Sequence, residues 1–243
     1  MAEYLGRRGY DVAVHYATSA AGAEAVAAGV RATGQKSVAL GTDLLDEAAT
    51  QTLVARATEA LAGPLTVLIN NASIFEYDTL TNATRESWDR HFGSNLRAPF
   101  VLMQAFAAQV PAHGVDAAGE PVAGGLVVNM IDQRVRKLTP EFMTYTLAKM
   151  GLWALTRTAA QALAPRIRVN AIGPGPTLRG ARQSDGHFAG QRAATLLERG
   201  ANPADITATL GYFLDAPAVT GQLICVDGGQ HLGWKTIDLR GVE

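Results

Sequence analysis

Cysteine is almost absent from this sequence, with Cys225 the single one among 243 residues. One thiol excludes an internal disulfide, and a chain without disulfides fits a reducing compartment. The first nine residues also lack the basic start and the apolar stretch of a secretory signal. The sequence therefore favours a cytoplasmic protein.

The sequence also lacks an excess of one charge and any long apolar run. Its net charge is −1, and acidic and basic residues are mixed along the chain, so no basic stripe is available for nucleic acid or anionic lipid. The longest apolar runs, such as 65–69 and 126–130, fall far short of the ~20 residues that span a bilayer. We predict no nucleic-acid partner, no membrane partner and no metal site.

Short apolar segments alternate with longer segments of helical period along the whole chain. The predicted strands are Asp11–Tyr16, Ser37–Thr42, Leu65–Asn70, Gly125–Met130, Ile167–Ile172 and Gln222–Val226. The predicted helices cover 19–33, 46–62, 84–110, 144–163 and 204–215, and 112–124 is predicted as a surface loop. Because the strands are continuous apolar runs, helices should cover both faces. We predict an α/β fold with a Rossmann-type doubly wound parallel sheet, forming a single domain over 1–243.

The start of the chain departs from this pattern. Such a sheet normally opens with a strand, a glycine-rich turn and a helix whose N-terminus holds a cofactor pyrophosphate. Here residues 2–9 resemble the end of that helix, so the first strand and the glycine-rich turn are apparently lacking. Without that strand, its two neighbours would carry unpaired backbone groups that cost ~1–3 kcal/mol each. We expect the natural chain to begin upstream of Met1.

A Tyr-x-x-x-Lys pair, Tyr145 and Lys149, lies in a predicted helix that follows the strand ending at Met130. Residues four apart on a helix lie on one face, about 6 Å apart. An ammonium beside a phenol favours the phenolate, so we expect Lys149 to lower the pKa of Tyr145. Ordinary surface packing is the alternative explanation of the spacing. The position at the carboxyl edge of the sheet favours a ligand site.

Four further motifs accompany the pair: Asn70-Asn71-Ala72-Ser73, Asn95 in Ser94-Asn95-Leu96, Gly173-Pro174-Gly175-Pro176-Thr177, and Val226-Asp227-Gly228-Gly229. In these motifs and their order the chain resembles the short-chain dehydrogenase/reductase family over essentially its whole length. The resemblance implies that Asn95 helps to hold a proton-relay water beside Lys149. It also implies that the loop from Pro174 contacts the nicotinamide of the cofactor, and that the chain forms a homotetramer.

One departure points to a subgroup of this family. Thirteen residues before Tyr145, where most members carry serine, this chain has Asp132. In this respect the chain is similar to the pteridine reductases and the dihydromonapterin reductases, which carry aspartate at this position. They also tend to have Asn-Asn-Ala-Ser followed by an aromatic, here Phe75, and His-Tyr at the end of the second strand, here His15-Tyr16.

The subgroup resemblance implies catalytic and substrate-binding roles. Asp132 and Tyr145, with Asn95 and Lys149, would assist proton delivery to a pterin ring nitrogen after hydride transfer. Phe75 would stack on the pterin ring, although core packing explains this residue nearly as well. A loop or helix-capping role is the alternative for Asp132. The stretch 178–197, beginning at Leu178, resembles the mobile substrate loop of the family.

The nucleotide end favours NADP(H) over NAD. A carboxylate just after the second strand would repel a 2′-phosphate, and the sequence after Tyr16 is Ala17-Thr18-Ser19 instead. Hydroxyls and a possible helix N-cap at Ser19 suit an anion. The predicted cofactor-binding residues, beside Tyr145 and Lys149, are His15, Tyr16, Ser19, Asp43, Leu44, Asn71, Ala72, Ser73, Pro174, Gly175 and Thr177.

Three functions are consistent with these residues. The first is NADPH-dependent reduction of a pterin-like small molecule, a dihydropterin, dihydromonapterin or dihydrofolate-like compound, to its tetrahydro form. The second is reduction of another carbonyl or imine, with Asp132 merely replacing serine. The third is a degenerate member that no longer catalyses and serves in interactions.

Overall fold

Parallel strands and helices alternate along the chain in the computed structural model, which describes residues 1–180 and 183–234. The strands are β1 Val12–Tyr16, β2 Ser37–Gly41, β3 Val67–Asn70, β4 Gly114–Val115, β5 Pro121–Val122, β6 Gly125–Met130, β7 Ile167–Pro174 and β8 Leu223–Val226. The helices are α1 Ala2–Arg7, α2 Ala20–Arg31, α3 Glu47–Leu61, α4 Arg85–Phe92, α5 Ala98–Gln109, α6 Met143–Leu163, α7 Asp185–Ala193 and α8 Pro203–Asp215. The prediction of an α/β doubly wound parallel fold is confirmed.

Three segments differ from the predicted secondary structure. The helix predicted over 84–110 contains one π-helical turn, Gly93–Arg97, between α4 and α5. The loop predicted at 112–124 contains the short antiparallel hairpin β4–β5. Helix α7 forms where no helix was predicted. The sequence did not predict it because Gly186 and Gly190 weaken the helical pattern of this segment.

Helices cover both faces of the sheet because β6 is apolar on both sides. Leu126, Val128 and Met130 lie in one cluster with Leu210 and Phe213 of α8. Val127, on the opposite side of the same strand, lies in a second cluster. That cluster also contains Met103 and Phe106 of α5 and Ala160 of α6. All six residues of β6 are therefore buried.

The parallel strands form two sheets. One contains β1 and β2, and the other has the order β3-β6-β7-β8. Between β1 and β3 lies a cavity of about 680 Å³ lined by residues of both strands, and no described strand fills it. The inner edges of β1 and β3 therefore lack in-sheet partners among the described residues, as expected for a sheet without its first strand.

The carboxyl ends of β3, β6 and β7 meet at one edge of the four-stranded sheet. A buried chain of amides ties that edge to α6, since Asn70 Nδ2 donates to Asn129 Oδ1 at 2.8 Å and Asn129 Nδ2 donates to Thr156 Oγ1 at 2.9 Å. Helix α6 is thereby fixed against the strand ends from which the predicted catalytic residues project. No helix within the described ranges has both the length and the apolarity that a membrane crossing requires.

Candidate active site

A small cavity of about 220 Å³ opens at this edge of the sheet. It is lined by Asn71, Ser73, Met130, Ile131, Asp132, Tyr145, Lys149, Pro174 and Gly175. The structure thus brings together predicted residues from four separate segments of the chain. Within the described part of the chain, no three His, Cys, Asp or Glu side chains group as a metal site would.

Asp132 and Tyr145 are hydrogen-bonded to each other in this cavity. The Tyr145 hydroxyl donates to Asp132 Oδ2 at 2.9 Å, and the other carboxylate oxygen accepts from the Arg134 backbone N–H at 2.8 Å. One oxygen therefore caps the 3₁₀ turn Gln133–Arg136, and the second contacts the phenol. The capping role and the cleft-facing role, which the sequence offered as alternatives, both occur in the same side chain.

Burial sets the acidity of both groups. Desolvation raises the pKa of the Asp132 carboxyl, although the Arg134 backbone N–H and the Tyr145 hydroxyl act in the opposite direction. Desolvation, followed by the charge and hydrogen bond of Asp132, raises the pKa of Tyr145 well above 10.0. The expectation that Lys149 lowers the pKa of Tyr145 is therefore wrong in this structure. The phenol is held protonated, and Asp132 is its hydrogen-bond acceptor.

The ammonium of Lys149 binds the backbone at the end of β6. Its Nζ donates to the carbonyl of Met130 at 2.8 Å and lies 5.7 Å from the centre of the Tyr145 ring. The residue is 2% exposed, and desolvation lowers the pKa of its amine from 10.5 to about 8. The ammonium thus links the end of β6 to the ring of Tyr145.

Aromatic rings form one wall beside the phenol. Phe75 stacks on Phe142 with ring centres 4.3 Å apart at 11°, and it meets Tyr145 edge-on at 4.6 Å. The guanidinium of Arg134 lies 5.1 Å from the centre of the Phe142 ring. One face of Phe75 is therefore covered by Phe142, so the packing role that the sequence offered as the alternative to pterin stacking occurs in the structure.

Phe142 itself is held in an unusual backbone conformation. It precedes α6 with φ 55° and ψ 49°, in the left-handed region that non-glycine residues rarely adopt. No sequence motif singled out this residue. Its position three residues before Tyr145 is the signal that could have identified it.

Asn95 lies one step behind the cavity, on the π-helical turn. Its Oδ1 accepts from the Ile74 N–H and its Nδ2 donates to the Ile74 carbonyl, both at 2.8 Å. Because both polar groups of this fully buried side chain are used, Asn95 fixes the backbone next to Phe75. Its side chain does not line the 220 Å³ cavity.

Comparison with known proteins places this geometry in a family. The family model described as "Enoyl-(Acyl carrier protein) reductase" matches residues 1–231. The chain is 32% identical to an uncharacterised oxidoreductase of Methylorubrum extorquens, covering 94% of this chain and 91% of that protein. It is 29% identical to the 3-oxoacyl-[acyl-carrier-protein] reductase FabG of Staphylococcus aureus, covering 94% and 91%.

The chain belongs to the short-chain dehydrogenase/reductase family. A solved structure within this fold, the FolM alternative dihydrofolate reductase 1 from Brucella canis complexed with NADP, is 41% identical to the chain. The two superpose with a TM-score of 0.89, covering 98% of this chain and 90% of the FolM chain. The family resemblance and the Rossmann-type fold read from the sequence motifs are thus confirmed.

In this short-chain dehydrogenase/reductase, the residues predicted for the nucleotide end lie at the carboxyl ends of β1 and β2. His15 Nε2 is bonded to the Thr42 carbonyl at 2.8 Å, and Asp43 Oδ1 accepts from the Leu45 N–H at 2.9 Å. Ser19 precedes α2, but its side chain makes no capping hydrogen bond. The structure does not bring these residues into the 220 Å³ cavity.

Five predicted residues line the larger cavity, whereas Thr177 and Leu178 belong to neither lining. His15, Tyr16, Leu44, Asn71 and Ala72 line the 680 Å³ cavity, and Asn71 borders both. Thr177 is partly buried and donates to the Gly175 carbonyl at 3.0 Å. Leu178 is 74% exposed. Of the predicted substrate loop 178–197, residues 181 and 182 lie outside the described ranges.

Proposed function

We propose that this short-chain dehydrogenase/reductase uses NADPH to reduce a pteridine, of the dihydropterin, dihydromonapterin or dihydrofolate type, to its tetrahydro form. The observation that carries the proposal is the hydrogen bond between the Tyr145 hydroxyl and Asp132 in the lining of the 220 Å³ cavity. Two neighbouring acids suit a substrate with several ring nitrogens. The 41% identity to the FolM alternative dihydrofolate reductase supports the same substrate class.

The residues present fit NADPH at both ends. The 220 Å³ cavity offers a ring-sized space beside Gly175, where a Cβ would lie 2.5 Å from Asp227 Cβ, so that only glycine fits. Asn70 Oδ1, at the end of β3, is buried without a hydrogen-bond partner among the described residues, as suits a ligand with hydroxyl donors. No carboxylate follows β1 to repel a 2′-phosphate.

The residues that we propose to hold the cofactor would contact it in turn from the adenine end to the nicotinamide end. His15, Tyr16 and Ser19 would face the phosphorylated ribose, with Asp43 and Leu44 near the adenine. Asn71, Ala72 and Ser73 would hold the middle, and Tyr145, Lys149, Pro174, Gly175 and Thr177 the nicotinamide end. NADPH, when bound, supplies the hydride; the chain supplies protons and orientation.

Asp132 and Tyr145 would act as the proton donors. A carboxyl with a raised pKa keeps a proton nearer neutral pH than an ordinary aspartate, and the buried phenol stays protonated. Asp132 can accept a hydrogen bond from an N–H and donate to a bare ring nitrogen, whereas a serine hydroxyl is too weak an acid for the second task. Lys149 orients the phenol, and the Phe75–Phe142 wall shields the reacting atoms from water.

Asp132→Ser tests this assignment. We expect the variant to lose dihydropteridine reduction by about 10²-fold in kcat/KM, because a proton donor is removed. Reduction of simple ketones should persist or improve, since a hydroxyl suffices to orient one oxygen. NADPH oxidation is followed with dihydrobiopterin, dihydromonapterin, dihydrofolate and a panel of ketones.

The matched control for this experiment is Asp116→Ser. Asp116 also caps its own turn, by accepting from the Ala118 and Glu120 backbone N–H groups, but it lies in the exposed hairpin. Equal losses on pteridines and ketones in Asp132→Ser would contradict the specificity argument. Ketone turnover alone in the wild type would favour the second candidate, a carbonyl reductase, which the similarity to FabG supports. Cofactor binding without any turnover would favour a non-catalytic role.

We further propose that the enzyme is cytoplasmic and forms a homotetramer that acts on a small molecule. The family membership supports the tetramer and the small-molecule substrate. Light scattering of the purified protein measures the assembly, and a monomer at working concentration would contradict it.

A further inference from the structure

A line of hydrogen bonds runs from Glu76 through His91 and Thr144 to Asp78, next to Tyr145. The Glu76 N–H donates to His91 Nε2 at 3.1 Å, and His91 Nδ1 is 2.7 Å from Thr144 Oγ1. A backbone N–H can only donate, so Nε2 must be the acceptor nitrogen of the ring. The ring proton therefore lies on Nδ1 and is donated to Thr144, whose own hydroxyl proton goes to Asp78 Oδ2.

Asp78 ends this line as a buried carboxylate that accepts several hydrogen bonds. Besides the Thr144 hydroxyl, it accepts from the Thr144 N–H at 3.1 Å and from Ser87 Oγ at 3.0 Å. Burial alone would raise the pKa of the Asp78 carboxyl, but these hydrogen bonds prevail and lower it. The carboxylate, Thr144 and His91 are each at most 2% exposed.

The line joins three elements around Tyr145. Glu76 and Asp78 belong to the segment after β3 that carries Phe75, and His91 belongs to α4. Thr144 lies in the first turn of α6 and is the residue directly before Tyr145. The His91 ring also meets the Tyr145 ring edge-on, with centres 6.0 Å apart. A change in any of these bonds would be passed to the position of the phenol.

We propose that His91, Thr144 and Asp78 form a positioning network that holds the Tyr145 phenol against Asp132 and sets its distance from the Phe75 segment. None of the three residues lines either cavity, so they act through Tyr145 and are positioning residues. This inference rests on the proposed function only in taking Tyr145 as the proton donor.

Thr144→Val tests the network because valine has the shape of threonine without the hydroxyl. Thr144→Ser retains the hydroxyl, and Thr158→Val is the matched control. Thr158 is an exposed threonine of the same helix whose hydroxyl bonds only to its own helix. The full-length variants are labelled with ¹³Cζ-tyrosine, and the Tyr145 resonance is assigned with Tyr145→Phe.

We expect Thr144→Val to move the Tyr145 ¹³Cζ resonance toward those of solvent-exposed tyrosines, while Thr144→Ser and Thr158→Val match the wild type. On whichever substrate is reduced, Thr144→Val should lower kcat on the order of 10-fold with the KM for NADPH unchanged. The tyrosine resonance needs no substrate, so it decides the inference even if pteridines prove to be the wrong substrates.

A wild-type Tyr145 resonance in Thr144→Val would overturn the inference. Should Thr144→Val not fold, His91→Gln replaces it, since a glutamine cannot satisfy the Glu76 N–H and the Thr144 hydroxyl with the geometry of the imidazole. His91→Gln is expected to shift the same resonance in the same direction. An unshifted resonance in that variant would equally overturn the network.

Discussion

Replacement of Tyr145 by phenylalanine should lower kcat by about 10³-fold, with NADPH binding retained. The hydroxyl is the single polar atom removed, and it is the atom that donates to Asp132 Oδ2 at 2.9 Å. The ring contacts with Phe75 and His91 do not need it, so the fold should persist. Stopped-flow NADPH oxidation measures the rate, and tryptophan fluorescence quenching measures cofactor binding.

Tyr212→Phe is the control for this variant because the Tyr212 ring is half exposed on α8 and lines neither cavity. It should retain wild-type rates. A Tyr145→Phe enzyme that keeps most of its kcat would show that the phenol is not a proton donor and would move that task to Asp132 alone.

Replacement of Lys149 by methionine should abolish activity and, at neutral pH, stabilise the fold by about 2 kcal/mol. Burial lowers the pKa of this amine from 10.5 to about 8, which corresponds to about 3 kcal/mol of cost for keeping it charged below pH 8. Loss of the hydrogen bond to Met130 offsets about 1 kcal/mol of the gain. Urea unfolding at fixed pH measures the difference.

The pH dependence gives the sign of this effect. Between pH 8 and 10.5 the unfolded chain binds a proton at Lys149 that the folded chain has released, so wild-type stability rises with pH through that window. Lys149→Met lacks this rise, and its advantage should shrink as pH increases. Lys137→Met is the control, because the Lys137 side chain is exposed. Parallel curves for wild type and Lys149→Met would contradict the assigned burial cost.

The strands and the order of the site motifs could be predicted because each rests on a local pattern. Gly125–Met130 matches β6 residue for residue, since a run of apolar residues buried on both faces leaves no other placement. The Phe75–Phe142 contact and the Asp78–His91 network could not be predicted. Phe142 lies 67 residues from Phe75, and Thr144 lies 53 residues from His91 and 66 from Asp78, so only the folded packing, including that of α4 against α6, brings them together.

The acidity of Tyr145 shows why spacing alone misleads about electrostatics. A lysine four residues away was expected to favour the phenolate. The folded chain instead turns that ammonium toward the Met130 carbonyl and places a carboxylate on the phenol. Burial then raises the pKa of Tyr145, and burial depends on the completed core and not on neighbours along the helix.

The π-helical turn at Gly93–Arg97 has a consequence for how the gene can change. Such a turn holds one residue more than the α-helical turn it replaces. Deleting one codon there would restore a regular α-helical turn and leave the residues on either side in their present orientation, whereas a deletion elsewhere in the helix would rotate every residue beyond it by about 100°. Because Asn95 lies in this turn, the deletion would instead disturb its two hydrogen bonds with Ile74, so the extra residue serves this contact and not the direction of α5.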